Sequence, residues 1–235
     1  MIVPKGFDRM AKPGGCKETQ AHHPAQSSLV IFAPRRPNDP YSMNATTKSV
    51  DLRLGAVVLF ILVAAATRFV PHPYNFSPLG AMALFGGAYL SKRWLAILIP
   101  VAAAFVSDLL INNVLYSEYY DGFTWMAEGS GWMYLIYASI AVMGMFALRT
   151  VSVGRVLGAS LGSSVIFFLA SNFVCWPGNT MYAQNMGGLV TCYAAGLPFF
   201  PGTVAGDLVY SAALFGGFAL LQRYLPELRT VPVRR

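Results

Sequence analysis

From residue 54 onward, apolar residues gather in six runs separated by short polar links. The runs cover residues 54–67, 77–90, 94–115, 132–148, 156–176 and 203–221. A helix needs about 20 largely apolar residues to cross the roughly 30 Å hydrocarbon core of a bilayer. The pattern therefore predicts an all-α membrane protein with six transmembrane helices. The first two runs are short, so either flanking residues extend them or their outer ends stop early around a cavity.

Basic side chains occur in every second link along the chain. Lys92 and Arg93 lie in the second link, Arg149 and Arg155 lie in the fourth, and the C-terminal tail is rich in arginine. The third link (residues 116–131) has acidic residues but no base, and the fifth (residues 177–202) has no charge. Cytoplasmic links retain Lys and Arg. We therefore expect a multi-pass protein of the bacterial cytoplasmic (inner) membrane, with both termini in the cytoplasm.

The chain divides into three segments by composition. Residues 1–50 are rich in Pro, Gly, Ser and Lys without periodicity, which predicts a disordered leader, and Met43 is an alternative start. Residues 51–225 form the transmembrane domain, and residues 226–235 form a basic cytoplasmic tail. Within the fifth link, residues 187–200 are apolar but too few to cross a bilayer. We expect this long loop to be re-entrant or to lie at the membrane surface.

Composition excludes several classes of protein. Hydrophobic residues make up 55% of the chain and charged residues 11%, against about 25% charged residues in soluble domains. The net charge of +7 is accounted for by the leader and the cytoplasmic links, so we expect no nucleic-acid partner. No phosphate-binding glycine motif or metal-ligand spacing occurs. We therefore predict no cofactor and no metal, and whether Cys175 and Cys192 pair stays open.

Ionisable residues inside the apolar runs are the strongest indication of a site, because such groups are costly at membrane depth. Asp108 lies about 21 Å along the third helix from its inner end, and Asp207 lies about 9 Å below the outer end of the sixth. Arg68 closes the outer end of the first helix. The three side chains are thus predicted to meet at one level. Either they contact a ligand, or Arg68 and an aspartate form a structural ion pair.

Polar and aromatic residues near the same level extend this predicted site. Asn112 shares a helix face with Asp108, and Asn172 ends the fifth run. The first link (residues 71–78) is stiffened by prolines and offers hydrogen-bonding and aromatic groups, and the uncharged fifth link is long enough to be a lid. The predicted substrate-binding residues are Arg68, His72, Asn75, Phe76, Asp108, Asn112, Asn172, Trp176, Tyr182 and Asp207.

Small residues indicate where helices could touch. Gly154, Gly158 and Gly162 recur every four residues in the fifth run. Close backbone contact at such a stripe drives helix association in lipid. The stripe serves either packing inside the bundle or docking of a partner, and we favour internal packing.

Several segments together resemble a known family. They are RFVPHPYNFSPLGAMALFGGAYL (residues 68–90), SDL (107–109), SNF (171–173), GLVTCYAAGLPFF (188–200) and GDLVYSAALFGG (206–217). They are similar to an uncharacterised bacterial membrane protein family that resembles the S component, the substrate-binding subunit, of energy-coupling factor (ECF) transporters. The resemblance implies a vitamin or similar micronutrient bound in an outward-facing pocket under the first, third and fifth links. It also implies a coupling membrane subunit with an ATPase pair as partner, although solitary S components exist.

Two functions of different classes follow from these observations. The first is a non-enzymatic membrane subunit that binds a small organic micronutrient, a vitamin or a precursor, for uptake. The second is an intramembrane enzyme that acts on a lipid or isoprenoid through Asp108 and Asp207. Because no acidic motif with metal spacing supports the enzyme, we favour the transport subunit. A non-catalytic scaffold is a third, weaker reading.

Overall fold

The computed structural model describes residues 40–229, with side chains from residue 52 onward, and this part of the chain is all helical. Its seven helices are α1 (Pro40–Ala66), α2 (Leu79–Tyr89), α3 (Arg93–Leu110), α4 (Ser130–Ala147), α5 (Val153–Cys175), α6 (Met186–Gly196) and α7 (Phe200–Tyr224). A π-helical turn, Ile111–Leu115, extends α3, and four 3₁₀ turns lie at Thr67–Phe69, Ser117–Tyr119, Leu197–Phe199 and Pro226–Leu228. The predicted all-α class is confirmed for these residues.

Five apolar helical stretches within residues 40–229 are long enough to cross a membrane. They are Leu52–Phe69, Arg93–Leu115, Ser130–Ala147, Val153–Cys175 and Met186–Tyr224. The chain thus has the helices of a multi-pass membrane protein. The first run gains its length from flanking residues, whereas the second forms the shorter helix α2. With 11 residues, α2 is about 16 Å long.

Helix α2 lies at the centre of the bundle and packs against α1, α3, α4, α5 and α7. Every residue from Leu79 to Gly87 is buried, as expected for a helix that is apolar on all sides. It meets α4 closely at two glycines. A Cβ atom at Gly87 would overlap the Ala141 carbonyl oxygen, and one at Gly144 would come within 2.9 Å of the Leu84 carbonyl oxygen. The position of α2 inside the bundle therefore depends on residues without side chains.

An aromatic cluster around Phe85 fills one end of the bundle. The Phe85 ring lies 5.3 Å from Phe215 and 5.5 Å from Phe218, centroid to centroid, and 4.9 Å from Tyr89. The Arg53 guanidinium lies over the Tyr89 ring at 5.7 Å. Edge-to-face packing of this kind adds to burial. This end of the bundle is closed by side-chain packing, in contrast to the end at which α2 begins.

The small-residue stripe on α5 does not pack inside the bundle, and that expectation is wrong. A Cβ atom at Gly154 or Gly158 would meet nothing within 4 Å, and one at Gly162 would make an ordinary contact with Met143. The glycines that allow close contact are on α2, α4, α6 and α7 instead. Four-residue spacing alone does not specify which side of a helix faces its neighbours.

Two predicted segment boundaries can be compared with the helices. Helix α1 begins at Pro40, so the boundary predicted at residue 50 falls within it, and the leader prediction for residues 1–39 lies outside the described residues. The apolar part of the fifth link forms α6, which packs against the C-terminal end of α5. There the Tyr193 hydroxyl donates to the Leu169 carbonyl at 2.8 Å. Cys175 is exposed and Cys192 is buried, and the two are not bonded.

Candidate functional site

A polar cavity of about 570 Å³ opens at the end of the bundle where α2 begins. It exists because α2 starts late, at Leu79, and leaves the space above its first turn unfilled. Arg68, the first link and the π-helical end of α3 form its walls, and Gly80, Thr203 and Asp207 line it where α2 meets α7. A proline, Pro78, immediately precedes α2, and proline suits the start of a helix because it lacks an N–H.

Arg68 and Asp108 form an ion pair at the edge of this cavity. The distance from Arg68 Nη2 to Asp108 Oδ1 is 2.6 Å, and the two side chains are 15% and 22% exposed. Arg68 Nη1 also donates to the Ser107 hydroxyl, and the Tyr134 hydroxyl donates to Asp108 Oδ2 at 2.8 Å. Arg68 lines the cavity whereas Asp108 lies behind it. The charge of the arginine is therefore already neutralised.

Asp207 also lines the cavity but lies in a different environment. It is 3% exposed, and Oδ2 accepts a hydrogen bond from the Ser164 hydroxyl at 2.8 Å. Among residues 52–229, no Lys, Arg or His side chain forms an ion pair with it. Its other oxygen lies against Gly80, where a Cβ atom would overlap both Asp207 Oδ1 and the Ser163 hydroxyl. The absence of a side chain at residue 80 thus makes room for this carboxylate.

Buried hydroxyl groups of α5 and α7 surround Asp207. Ser160, Ser163 and Ser164 are fully buried, and Ser160 donates to Ser211 at 2.7 Å. The Ser163 hydroxyl lies beside the carboxylate without meeting hydrogen-bond geometry with any partner. We did not single out these serines of α5 from the sequence. The available signal was their spacing of three and four residues within an otherwise apolar run, which puts them on one helix face.

Aromatic rings form another part of the wall. Tyr137 of α4 and Phe167 of α5 line the cavity, and their rings stack with centroids 5.7 Å apart at 13°. Both rings therefore share the cavity lining with Arg68 and Asp207. Sequence reasoning missed both rings because aromatic residues are common in apolar helices.

The first link covers the cavity and rests on α7. His72, Asn75 and Ser77 line it, and Asn75 takes a left-handed conformation with φ 58°. The Phe76 ring does not line the cavity but packs on Tyr210 at 5.4 Å. Asparagine tolerates this backbone conformation better than most residues. The link is thus a compact turn held against a transmembrane helix.

Four other predicted residues do not line the cavity. Asn112 is half-buried in the π-helical turn beside the lining residue Ile111. Asn172 donates to the Phe168 carbonyl at 2.8 Å, and the Trp176 indole donates to the Ala183 carbonyl at 2.9 Å. The Tyr182 carbonyl accepts from Gln184 at 3.0 Å. The structure brings Arg68, His72, Asn75 and Asp207 together, with Asp108 behind Arg68, but not these four.

The fifth link folds on itself and contributes no lining residue. The Gln184 amide donates to the carbonyls of Trp176, Asn179 and Tyr182, at 3.0 to 3.1 Å. The third link instead reaches the cavity through Tyr116. Within residues 52–229, no group of three His, Cys, Asp or Glu side chains could hold a metal ion. The groups available for chemistry in the cavity are one free carboxylate, one neutralised arginine, the His72 imidazole, the Asn75 side-chain amide, hydroxyls and aromatic rings.

Fold and site together define a helical, multi-pass type of membrane protein with a polar cavity at one end of the bundle. The chain belongs to the family of unknown function DUF6580, which it matches over residues 48–228. This match includes every residue of the cavity and nearly all of α1 to α7. No curated protein and no solved structure matches the chain.

Proposed function

We propose that this protein is a membrane-embedded, substrate-binding subunit for the uptake of a small organic micronutrient, such as a vitamin or precursor. In this proposal the polar cavity is the binding site. The observation that carries the proposal is the cavity itself, about 570 Å³ in volume and lined by Arg68 and by the buried carboxylate of Asp207. Small-molecule sites have volumes of roughly 300–1,000 Å³ and combine apolar walls with a few polar groups.

The cost of the polar groups supports a function over a purely structural role. Asp207 is buried among apolar helices without a cationic partner in the described chain. Leaving an ionised carboxylate in such a place lowers stability unless a cation or a proton binds to it. Ionisable residues at membrane depth therefore usually mark substrate or ion pathways. The Arg68–Asp108 pair braces one wall, so both readings of this pair offered by the sequence can hold together.

The proposed orientation places the cavity on the outside of the cytoplasmic membrane. Lys92 lies between α2 and α3, Arg93 is the first residue of α3, and Arg149 lies between α4 and α5. These links join the helix ends opposite to those that surround the cavity. Because basic links stay in the cytoplasm, we infer six crossings with both termini inside, α2 being a short crossing and α6 an interfacial helix.

Access and energy are the remaining parts of the proposal. The first and third links would close over a bound molecule, and the self-contained fifth link would support the corner of α5 and α6. The chain has no nucleotide-binding motif, so transport would need an external energy source. The similarity to ECF S components suggests a coupling membrane subunit with an ATPase pair as partner.

The enzyme reading receives less support from the geometry. Asp108 is engaged by Arg68 and Tyr134 and does not line the cavity. A general acid or base must lie within hydrogen-bond reach of the substrate. Asp207 alone would have to do the chemistry, so we keep the binding function as the conclusion.

Retention of a small molecule tests this proposal. We expect the full chain, reconstituted in lipid nanodiscs and exposed to a low-molecular-weight bacterial extract, to retain a compound that native mass spectrometry detects. Thr203→Leu should abolish retention because the larger apolar side chain enters the cavity from α7. The matched control Thr191→Leu, at an exposed position on α6, should retain the compound. A chain that retains nothing, or a Thr203→Leu variant that retains as much as Thr191→Leu, contradicts the proposal.

A further inference from the structure

We infer that the compound bound in the polar cavity is a small organic cation, with a positively charged nitrogen that contacts Asp207. This inference rests on the proposed binding function and names the substrate class of that site. It goes beyond the size and polarity of the cavity because it depends on how the charges around it are paired.

The charged side chains around the cavity do not balance one another. Arg68 lines the wall, but its charge is neutralised by Asp108 at 2.6 Å. Asp207 lines the same cavity and has no cationic partner among residues 52–229. The pair and the lone carboxylate sum to one negative charge, and His72 is the other basic side chain of the lining. An anionic ligand would add a second negative charge, whereas a cation would remove the cost of burying the first.

The hydrogen bonds of Asp207 point in the same direction. The carboxylate accepts a hydrogen bond from the Ser164 hydroxyl, and the buried Ser163 hydroxyl lies beside it. A carboxylate has room for about four hydrogen bonds, so two hydroxyl groups leave part of its acceptor capacity unused. An ammonium or a protonated ring nitrogen supplies further N–H groups together with the missing charge.

The aromatic wall provides a second, independent feature suited to a cation. The Tyr137 and Phe167 rings line the cavity together with Asp207. The negative face of an aromatic ring attracts a cation. A carboxylate in a cavity that aromatic rings also line favours a charged nitrogen on an organic frame over a bare inorganic ion.

The charges of the third link agree with this assignment. Tyr116 lines the cavity, and the third link that follows it contains Glu118, Asp121 and Glu128. No Lys or Arg occurs between Arg93 and Arg149. Charges of one sign near a site raise the local concentration of oppositely charged ligands and speed their association. A positively charged compound would be attracted to this end of the bundle, and an anion would be repelled.

The test identifies the retained compound and compares two charge-neutralising variants. Nanodiscs holding the full chain are exposed to the low-molecular-weight bacterial extract, and the retained compound is released and identified by tandem mass spectrometry. We expect a compound that is positively charged at neutral pH. Asp207→Asn should retain it at least about 10-fold less, since unpairing a buried charge is costly. Glu227→Gln, at an exposed position beyond α7, should retain it as the unchanged chain does.

The outcomes separate this inference from the function on which it rests. A retained compound that is neutral or anionic overturns the inference and leaves the binding function in place. A cation that Asp207→Asn retains fully also overturns the inference. Retention of nothing overturns both. If Asp207→Asn does not elute as a folded species, the charge of the compound held by the unchanged chain decides whether the inference stands. In that case Phe167→Leu, which removes one aromatic ring from the lining, should also retain the cation severalfold less than the unchanged chain.

Discussion

Arg68 connects the wall of the cavity to the third and fourth helices. Its guanidinium contacts Asp108 and Ser107, and Tyr134 holds the other oxygen of Asp108. Both charged side chains are mostly buried, so each depends on the other for compensation. The pair therefore serves the stability of the bundle even when the cavity is empty.

A double-mutant cycle should show this dependence. Arg68→Met and Asp108→Leu are each expected to lower the free energy of unfolding in detergent by about 3 kcal/mol, because each leaves a buried charge alone. The double variant should be more stable than the sum of the two losses predicts, by at least about 1 kcal/mol. Tyr134→Phe, which removes one donor to Asp108, should cost about 1 kcal/mol. Strictly additive losses would show that the two charges do not compensate each other.

The charged residues of the site could be predicted from the sequence, and their partners could not. Arg68, Asp108 and Asp207 stand out because ionisable residues are rare in apolar runs, and residue counts along a helix give their depth. Depth does not give rotation about the helix axis. For this reason only the packed structure shows that Asp108 lies behind Arg68. It also shows that Ser163 and Ser164 lie beside Asp207.

At the scale of elements, the short helix α2 determines where the cavity lies. All its residues from Leu79 to Gly87 are buried, and its first turn ends beneath the cavity. Gly80 has Asp207 and Ser163 directly against its backbone. A side chain at this position would move either α2 or the carboxylate.

Replacement of Gly80 tests this contact. Gly80→Ala should lower the free energy of unfolding by about 1–3 kcal/mol, because its Cβ overlaps Asp207 and Ser163 in a packed interior. Gly216→Ala on α7 is the matched control, since a Cβ there meets nothing within 4 Å, and should change stability by less than about 0.5 kcal/mol. Equal effects of the two substitutions in a thermal unfolding assay would contradict the packing described for α2.

The apolar runs predicted the helices well and their contacts less well. Runs three to six correspond to long apolar helices, and the alternative that the second run stops early at a cavity agrees with α2. Hydrophobicity fails to predict contacts here because lipid and protein interior are equally apolar. For this reason the glycines of α5 were expected inside the bundle but face outward. The fifth link was likewise expected to cover the cavity but folds around Gln184 instead.

At the scale of the whole molecule, the proposed topology makes a simple prediction. In a variant whose three cysteines are replaced by Ser, Asp121→Cys in the third link should react with a membrane-impermeant maleimide added to intact cells. Arg149→Cys, between α4 and α5, should react only after the membrane is permeabilised, because its link is held in the cytoplasm. The reverse pattern would place the cavity on the cytoplasmic side and would rule out uptake from outside.

The central claim is that the polar cavity beside Asp207 is accessible to water from outside the cell. Its most direct test is Thr203→Cys in the same cysteine-free background, with a trimethylammonium methanethiosulfonate reagent added to intact cells. Thr203 is 8% exposed and lines the cavity, so the introduced thiol should react with reagent added from outside. The control is Ala213→Cys, at an exposed position of α7 that does not line the cavity. Its thiol should not react. A Thr203→Cys thiol that stays unmodified in intact cells, or reacts only from the cytoplasmic side, would contradict this account.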